Sequence, residues 1–325
     1  MRILITGVAG FIGSRFSEVV LENAERLGYS ELVLLDALTY SGRMENLAGV
    51  IDDPRVRFVH GSINDGALTD ELLQGVHAVV HLAAESHVDR SIAGAAPFFV
   101  TNVLGTQQLL ESARRGGVAK FVHVSTDEVY GSIAEGSWKE DHILEPNSPY
   151  SASKAGSDLA ALAYHSTFGL DVSVTRCSNN YGPRQYPEKV IPLFVSNLVD
   201  GHKVPLYGDG LNVRDWLHVD DHCQGILKVL EGGRAGEIYN IGGGTELTNR
   251  ELTSRILALM GVGDEVIEPV ADRLGHDRRY SVDCTKIREE LGYAPQVPFE
   301  EGLAATVQWY RDNESWWRPL KGATS

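Results

Sequence analysis

The sequence predicts a doubly wound parallel α/β sheet with a smaller second region interleaved into its C-terminal half, and three observations carry this expectation. Short apolar runs alternate with longer amphipathic stretches, the rhythm of repeated strand–helix units. The runs RILIT, ELVLLD, VRFVHG, HAVVHLA, KFVHVS, DVSVTR and EIYNIG are mostly continuous and β-branched rather than alternating. Parallel strands covered on both faces have this pattern. After about Tyr181 the rhythm breaks: Pro183, Pro187, Pro192 and Pro205 fall close together, and IPLFVSNLVDG reads as a helix without neighbouring parallel strands.

The elements follow in chain order. RILIT leads into GVAGFIG, which places Gly7, Gly10 and Gly13 after the first strand and at the opening of the first helix. That is the Rossmann-type context in which glycines allow a tight turn, close approach to a pyrophosphate and close helix–strand packing. The helix N-terminus then faces the phosphates with free N–H groups and positive dipole. GFIGSRFSEVVLENAERLG keeps helical spacing with Phe11, Ile12, Phe16, Val19, Val20 and Leu27. The second strand ends in Asp36, where an acid can hydrogen-bond a ribose 2′-hydroxyl. Ala37 follows, with no adjacent arginine for a 2′-phosphate, so NAD is favoured over NADP. HLAAES, His81 to Ser86, brings small residues to a later strand end, where the chain must pass close to a cofactor.

STDEVYG, Ser125 to Gly131, hands a buried strand straight to a threonine and two carboxylates. PNSPYSASK then starts a helix: Asn147 or Ser148 can cap it and Pro149 suits its first turn. Tyr150 and Lys154 are four residues apart and share a face. A free phenol titrates near ~10 and is a poor base at neutral pH. A nearby ammonium and a cationic nicotinamide should pull that value down. EIYNIGGG returns to the main sheet. The expected division is 1–182 plus about 215–242 for the NAD-binding part, and about 183–214 plus 243–325 for a part that caps the strand ends. WYRDNESWWRPL places three tryptophans near the end of a helix, where packing is the expected role.

Composition sets the outer limits. The chain has 325 residues, 43% hydrophobic and 22% charged, as in ordinary globular proteins. A formal net charge of −15 argues against a nucleic-acid surface. An anionic substrate must then be met by locally placed Arg and Lys. No apolar run approaches the roughly 20 residues that span a bilayer, and MRILITG reads as a strand rather than a secretory leader. Cys177, Cys223 and Cys284 form no CxxC pair, so a reduced, cytoplasmic setting is expected. HVDDH (His218 to His222) has two histidines at i, i+4, but no third ligand is evident; no metal is expected, and Asp220 or Asp221 reads as a helix cap.

GVAGFIG together with YSASK resembles the extended short-chain dehydrogenase/reductase superfamily. With AAESHVDRS, STDEVYG, SNNYGPRQYPEK, PLYGDGLNVRDW and DRLGHDRRY, nearly the whole chain resembles its dTDP-glucose 4,6-dehydratase family, with a weaker lean towards those of deoxysugar antibiotic pathways. The resemblance implies a tightly held NAD, regenerated in each turnover, and dTDP-glucose as the substrate. Thr126, Tyr150 and Lys154 would serve oxidation at C4. Glu128 would take the C5 proton and Asp127 would protonate the departing C6 hydroxyl, before hydride returns to C6.

The same resemblance places Phe11, Ile12, Leu38, Thr39, Ser62 and Ile63 on the cofactor side. Leu82, Ala83, Ala84, Thr101 and Ser125 belong there too, and Ser86 and Asn179 lie near both cofactor and sugar. Lys189, Val190, Pro205, Tyr207 and Asn249 would line the nucleotide side with His276 and Tyr280. Arg214 and Arg273 offer planar forks for the diphosphate. Ser62 departs from the pattern, since relatives usually carry Asp there to meet adenine. Two enzyme alternatives are a nucleotide-sugar 4-epimerase, which has no use for Asp127 and Glu128, and another sugar-nucleotide 4,6-dehydratase. GDP-mannose dehydratases have a similar glutamate but usually place serine where Asp127 stands. A catalytically silent NAD-sensing regulator is the non-enzyme alternative. The resemblance also implies a homodimer, paired through TNVLGTQQLLESARR and the Tyr150 helix.

Overall fold

Seven strands form one all-parallel sheet in the computed structural model, which describes residues 1–321. In chain order the strands are β1 (Arg2–Thr6), β2 (Glu31–Asp36), β3 (Val56–His60), β4 (Ala78–His81), β5 (Lys120–Thr126), β6 (Val172–Cys177), β7 (Asn179–Tyr181), β8 (Val204–Tyr207), β9 (Val213–His218), β10 (Ile238–Ile241), β11 (Glu246–Thr248) and β12 (Ile267–Val270). The main sheet runs β10-β6-β5-β4-β1-β2-β3. Its order reverses at β1, with β2 on one side and β4 on the other, so a crevice opens at the carboxyl ends of β1 and β4. Every apolar run expected to be a parallel strand takes its place in this Rossmann-type sheet, EIYNIG as the edge strand β10.

Helices cover both faces because the strands are apolar on both. Under one face Phe16, Val19 and Val20 of the first helix meet Cys223, Ile226 and Val229 of helix Val219–Gly232. Under the other, Leu109, Leu110 and Ala113 of helix Thr106–Gly116 meet Ala161 of helix Pro149–Phe168. Each fully buried aliphatic side chain stabilises the fold by roughly 1.5–3 kcal/mol.

The second region departs from expectation in one respect. It contains a parallel pair of its own, β8 with β12, and its antiparallel strand β11 joins β9, which pairs in parallel with β7 of the cofactor part. Helix Val190–Val199 stands directly before β8 in the chain. VPLY and IEPV are four residues each and contain proline, so neither gives the long apolar signal of a central strand. Tyr181, Phe194, Trp216, Leu252, Phe299 and Trp317 form this region's core. Ile287 and Tyr293, although they follow residue 243, pack in the core of the main sheet.

The C-terminal tryptophans do pack. Trp317 is buried and donates to the Tyr310 carbonyl at 2.7 Å. Trp316 meets Trp309 edge-on and donates at 3.1 Å to the side chain of Asn46, 270 residues earlier.

Candidate active site

The glycine turn after β1 is built for close approach. Gly7 has φ +73°, in the left-handed region, and a Cβ there would stand 2.6 Å from the Ala83 nitrogen. A Cβ on Gly13 would collide with the Gly7 carbonyl oxygen. Asp36 ties the turn to the end of β2: one carboxylate oxygen accepts from the Ala9 N–H at 2.8 Å, the other from the Leu38 N–H at 2.7 Å. Burial pushes the Asp36 carboxyl up, against the pull of these two bonds. This cradle, a bare backbone turn with an acid at the neighbouring strand end, fits a dinucleotide.

A cavity of about 330 Å³ runs from the cradle along the carboxyl ends of the strands. Every residue expected on the cofactor side lines it except Leu38, which holds Asp36 through its backbone. Ser62 is among them, with its hydroxyl accepting from the Asn64 N–H. Thr126, Asp127, Glu128, Tyr150, Lys154 and Lys189 line the other end.

Local geometry delivers the reacting groups. Thr126 ends β5 and caps a single 3₁₀ turn, Asp127–Tyr130, its hydroxyl accepting from the Glu128 N–H at 3.3 Å. The turn sets both acids at the strand end. Ser148 rather than Asn147 caps the Tyr150 helix, and Pro149 opens it. Asp127 is buried, and one carboxyl oxygen has no partner. Burial first, then the charges of Glu128 and Asp215, raise its carboxyl well above the usual range, against Arg214 and Thr126. Glu128 is half-buried and also raised by burial, against Lys189, Arg273 and Arg214. Its carboxylate accepts from the Ser151 hydroxyl at 3.3 Å.

In the polypeptide alone the Tyr150 phenol is pushed well up, by burial first and then by Glu128, Cys177 and Asp127. The Lys154 ammonium points its hydrogen bond at the Val124 carbonyl, 2.8 Å away, and burial lowers its own pKa.

The residues expected on the nucleotide side stand, apart from Lys189, outside the cavity's lining. Val190 opens a helix, Pro205 sits in β8 and Asn249 opens another helix. Arg214 donates to the Val213 and Asp277 carbonyls and lies 4.2 Å from the centre of the Tyr280 ring. Tyr207 meets His276 edge-on. Arg273 has a buried Nε without a hydrogen-bond partner, and its nearest acid, Asp89, is 3.8 Å away. The HVDDH segment uses each polar group separately. The cap expected from Asp220 or Asp221 comes from His218, which accepts from the Asp220 N–H. Asp221 holds the N–H groups of Gln296 and Val297, and His222 bonds Asn180.

Sequence reading missed Asn102. It sits in a seven-residue π-helical turn, Phe99–Gly105, beside the cavity-lining Thr101. Its amide accepts from the Glu85 N–H and donates to the Glu85 carbonyl and the Ser153 hydroxyl, tying the loop after β4 to the Tyr150 helix. An asparagine inside the apolar run FFVTNVLG was the available signal. Glu85, Cys177, Arg184, Gln185, Tyr186 and Glu188, also unforeseen, line the cavity.

The model of the GDP-mannose 4,6 dehydratase family matches residues 4–306. The chain belongs to this family. It is thus a member of the extended short-chain dehydrogenase/reductase superfamily. A dTDP-glucose 4,6-dehydratase of Streptomyces antibioticus is 62% identical over 324 residues, covering 99% of this chain and 96% of the relative. That of Streptomyces niveus is 58% identical, covering 99% and 96%. Among solved structures, the dTDP-glucose 4,6-dehydratase DesIV of Streptomyces venezuelae, with NAD and a dTDP nucleotide bound, superposes with a TM-score of 0.97 at 63% identity. The match covers 98% of this chain and 100% of that one.

Proposed function

We propose that this family member converts dTDP-glucose to dTDP-4-keto-6-deoxyglucose and water with NAD as its cofactor. The observation that carries the reading is the Asp127–Glu128 pair, held at a strand end in one cavity with Thr126, Tyr150 and Lys154. The 58–62% identity to dTDP-glucose 4,6-dehydratases supports the substrate. Gly7, Gly10, Gly13 and Asp36 would hold NAD, which would supply hydride acceptance at C4 and hydride donation at C6.

The chain's own groups move the protons. Tyr150, with Thr126 and Lys154 beside it, takes the proton of the C4 hydroxyl. The resulting ketone acidifies C5. Glu128, ionised, removes the C5 proton, and Asp127, kept protonated by burial and by its neighbour's charge, gives its proton to the leaving C6 hydroxyl. A 4-epimerase needs no such pair, a GDP-mannose enzyme usually has serine at 127, and a silent regulator has no call on a complete set of reacting groups. Arg273, whose buried Nε makes no hydrogen bond, and Arg214 supply counter-charge for the diphosphate. The nucleotide-sugar part comprises about 183–214 and 243–325, and the cofactor part the remainder.

Incubation with dTDP-glucose deuterated at C4 tests the reading. The expected product is a base-labile 4-keto sugar carrying the deuterium on its new methyl group, without net consumption of NAD. Deuterium lost to solvent, or recovered at C4, would sink it.

The chain acts as a homodimer in this reading. Phe99, Val100, Leu104, Leu159 and Phe168 expose apolar surface around the two helices expected to pair; Leu104 is 58% and Leu159 59% exposed. Four such helices make a closed isologous interface. A Leu104→Glu, Leu159→Glu variant is expected to run as a monomer by light scattering where the parent runs as a dimer; an unchanged mass excludes this face. The three cysteines are unpaired, which supports a cytoplasmic setting. Among the described residues no helix is long and apolar enough to cross a membrane.

A further inference from the structure

Residues 184–189, RQYPEK, form one wall of the cavity, yet only Lys189 has a part in binding or chemistry so far. Arg184, Gln185, Tyr186, Glu188 and Lys189 all line it, as the glycine turn and Asp36 do. The segment is fastened across the cleft at three points. At its start Arg184 donates two hydrogen bonds to the Glu18 carboxylate, at 2.7 and 2.9 Å, and a third to the Asn46 carbonyl. Glu18 belongs to the helix that begins at the glycine turn. The pair is largely shielded, with side chains 21% and 18% exposed. Arg184 has φ +68°, a conformation that a non-glycine residue keeps only when its surroundings hold it there.

The middle is held by Glu188, which accepts from the Tyr40 hydroxyl at 2.8 Å and from Arg90 at 3.0 Å. Arg90 in turn lies 3.9 Å from the centre of the Tyr40 ring, and Tyr186 packs edge-on against that ring. The far end is fixed by Lys189, whose ammonium donates to the Ser86 carbonyl at 2.9 Å. Tyr40 lies within, and Asn46 just after, the stretch 39–42, of which Thr39, Ser41 and Gly42 line the cavity.

We propose that residues 184–189 are a strap across the mouth of the cofactor cleft, fastened by Glu18 and Tyr40, that sets how long NAD stays bound. The proposal rests on the reading of the cavity as an NAD site. A cofactor regenerated within each turnover has no need to leave, so a closed cleft does not slow the reaction. An enzyme that exchanges NAD in every cycle would be slowed by it. Release then requires the strap to open locally, and its rate follows the fastenings that must break.

Glu18 and Tyr40 are the residues to change, because neither side chain lines the cavity. The chain is loaded with radiolabelled NAD and chased with excess unlabelled NAD, and the retained label is followed by rapid gel filtration. Glu18→Gln and Tyr40→Phe are each expected to speed release about tenfold, and the double variant more than either. Arg255→Ala, which breaks an exposed pair with Glu300 elsewhere, is expected to release at the parent rate. Tyr40→Phe removes a single hydroxyl, so it reports on the strap even where Glu18→Gln disturbs folding. A double variant that releases label at the parent rate overturns the strap alone. A parent chain that takes up no label after its resident nucleotide has been stripped overturns the cofactor reading and the strap with it.

Discussion

Asp127→Asn is expected to lower the rate of product formation by about 10²–10⁴-fold, the usual contribution of a positioned general acid. The reaction should stop part-way rather than fail to start. Oxidation at C4 uses Tyr150, Thr126 and Lys154, so near-ultraviolet absorbance of reduced nicotinamide should accumulate on mixing with dTDP-glucose. Glu128→Gln is expected to lose a similar factor and to block exchange of the C5 hydrogen with solvent, which Asp127→Asn should retain. The contrast between the two variants assigns the roles. Equal exchange in both, at the parent rate, means that neither carboxyl is the base.

The same pair predicts the pH profile. Glu128 must be ionised to act, and burial raises its pKa, so activity falls as pH drops through a value above the usual carboxylate range. Asp127 must be protonated, and burial together with Glu128 raises its pKa well above that range, so activity also falls as pH climbs through the Asp127 value. The working window lies between, and both limbs belong to the coupled pair. Asp127→Asn should alter the alkaline limb.

Tyr150→Phe is the second change of largest effect, also about 10²–10⁴-fold, but it should fail at the first step. No reduced nicotinamide should accumulate and no deuterium should enter C5, because the ketone that acidifies C5 never forms. The aromatic ring, packed edge-on against Phe98, keeps its contacts in phenylalanine, so the melting temperature should move little. Accumulation of reduced nicotinamide in Tyr150→Phe would show that another group takes the C4 hydroxyl proton.

Much of this was readable in advance because the signals are local. RILIT followed by GVAGFIG joins a buried strand to a glycine turn within a dozen residues, and Tyr150 and Lys154 share a helix face by their spacing alone. What could not be read depends on groups distant in sequence. Tyr150 sits near Lys154 by spacing, but the direction of its pKa depends on how deeply the helix is buried and on acids from the end of β5. Asn102 matters because the loop after β4 comes to rest beside it. β8 and β12 are too short and too interrupted by proline to announce themselves, and they are strands because each finds the other. His218 displaced the neighbouring aspartates as a cap because Asp220 is engaged by Arg15 and Asp221 by a loop near residue 296.

The reach of Trp316 back to Asn46 has a consequence for how the molecule is made. Asn46 donates to the Ala9 carbonyl, so a side chain from the last described helix helps fix the earliest turn of the chain. While the ribosome is still translating codons before 316, the nascent N-terminal half lacks this support. This contact, between residues 270 apart, is of the non-local kind that closes late and slows folding.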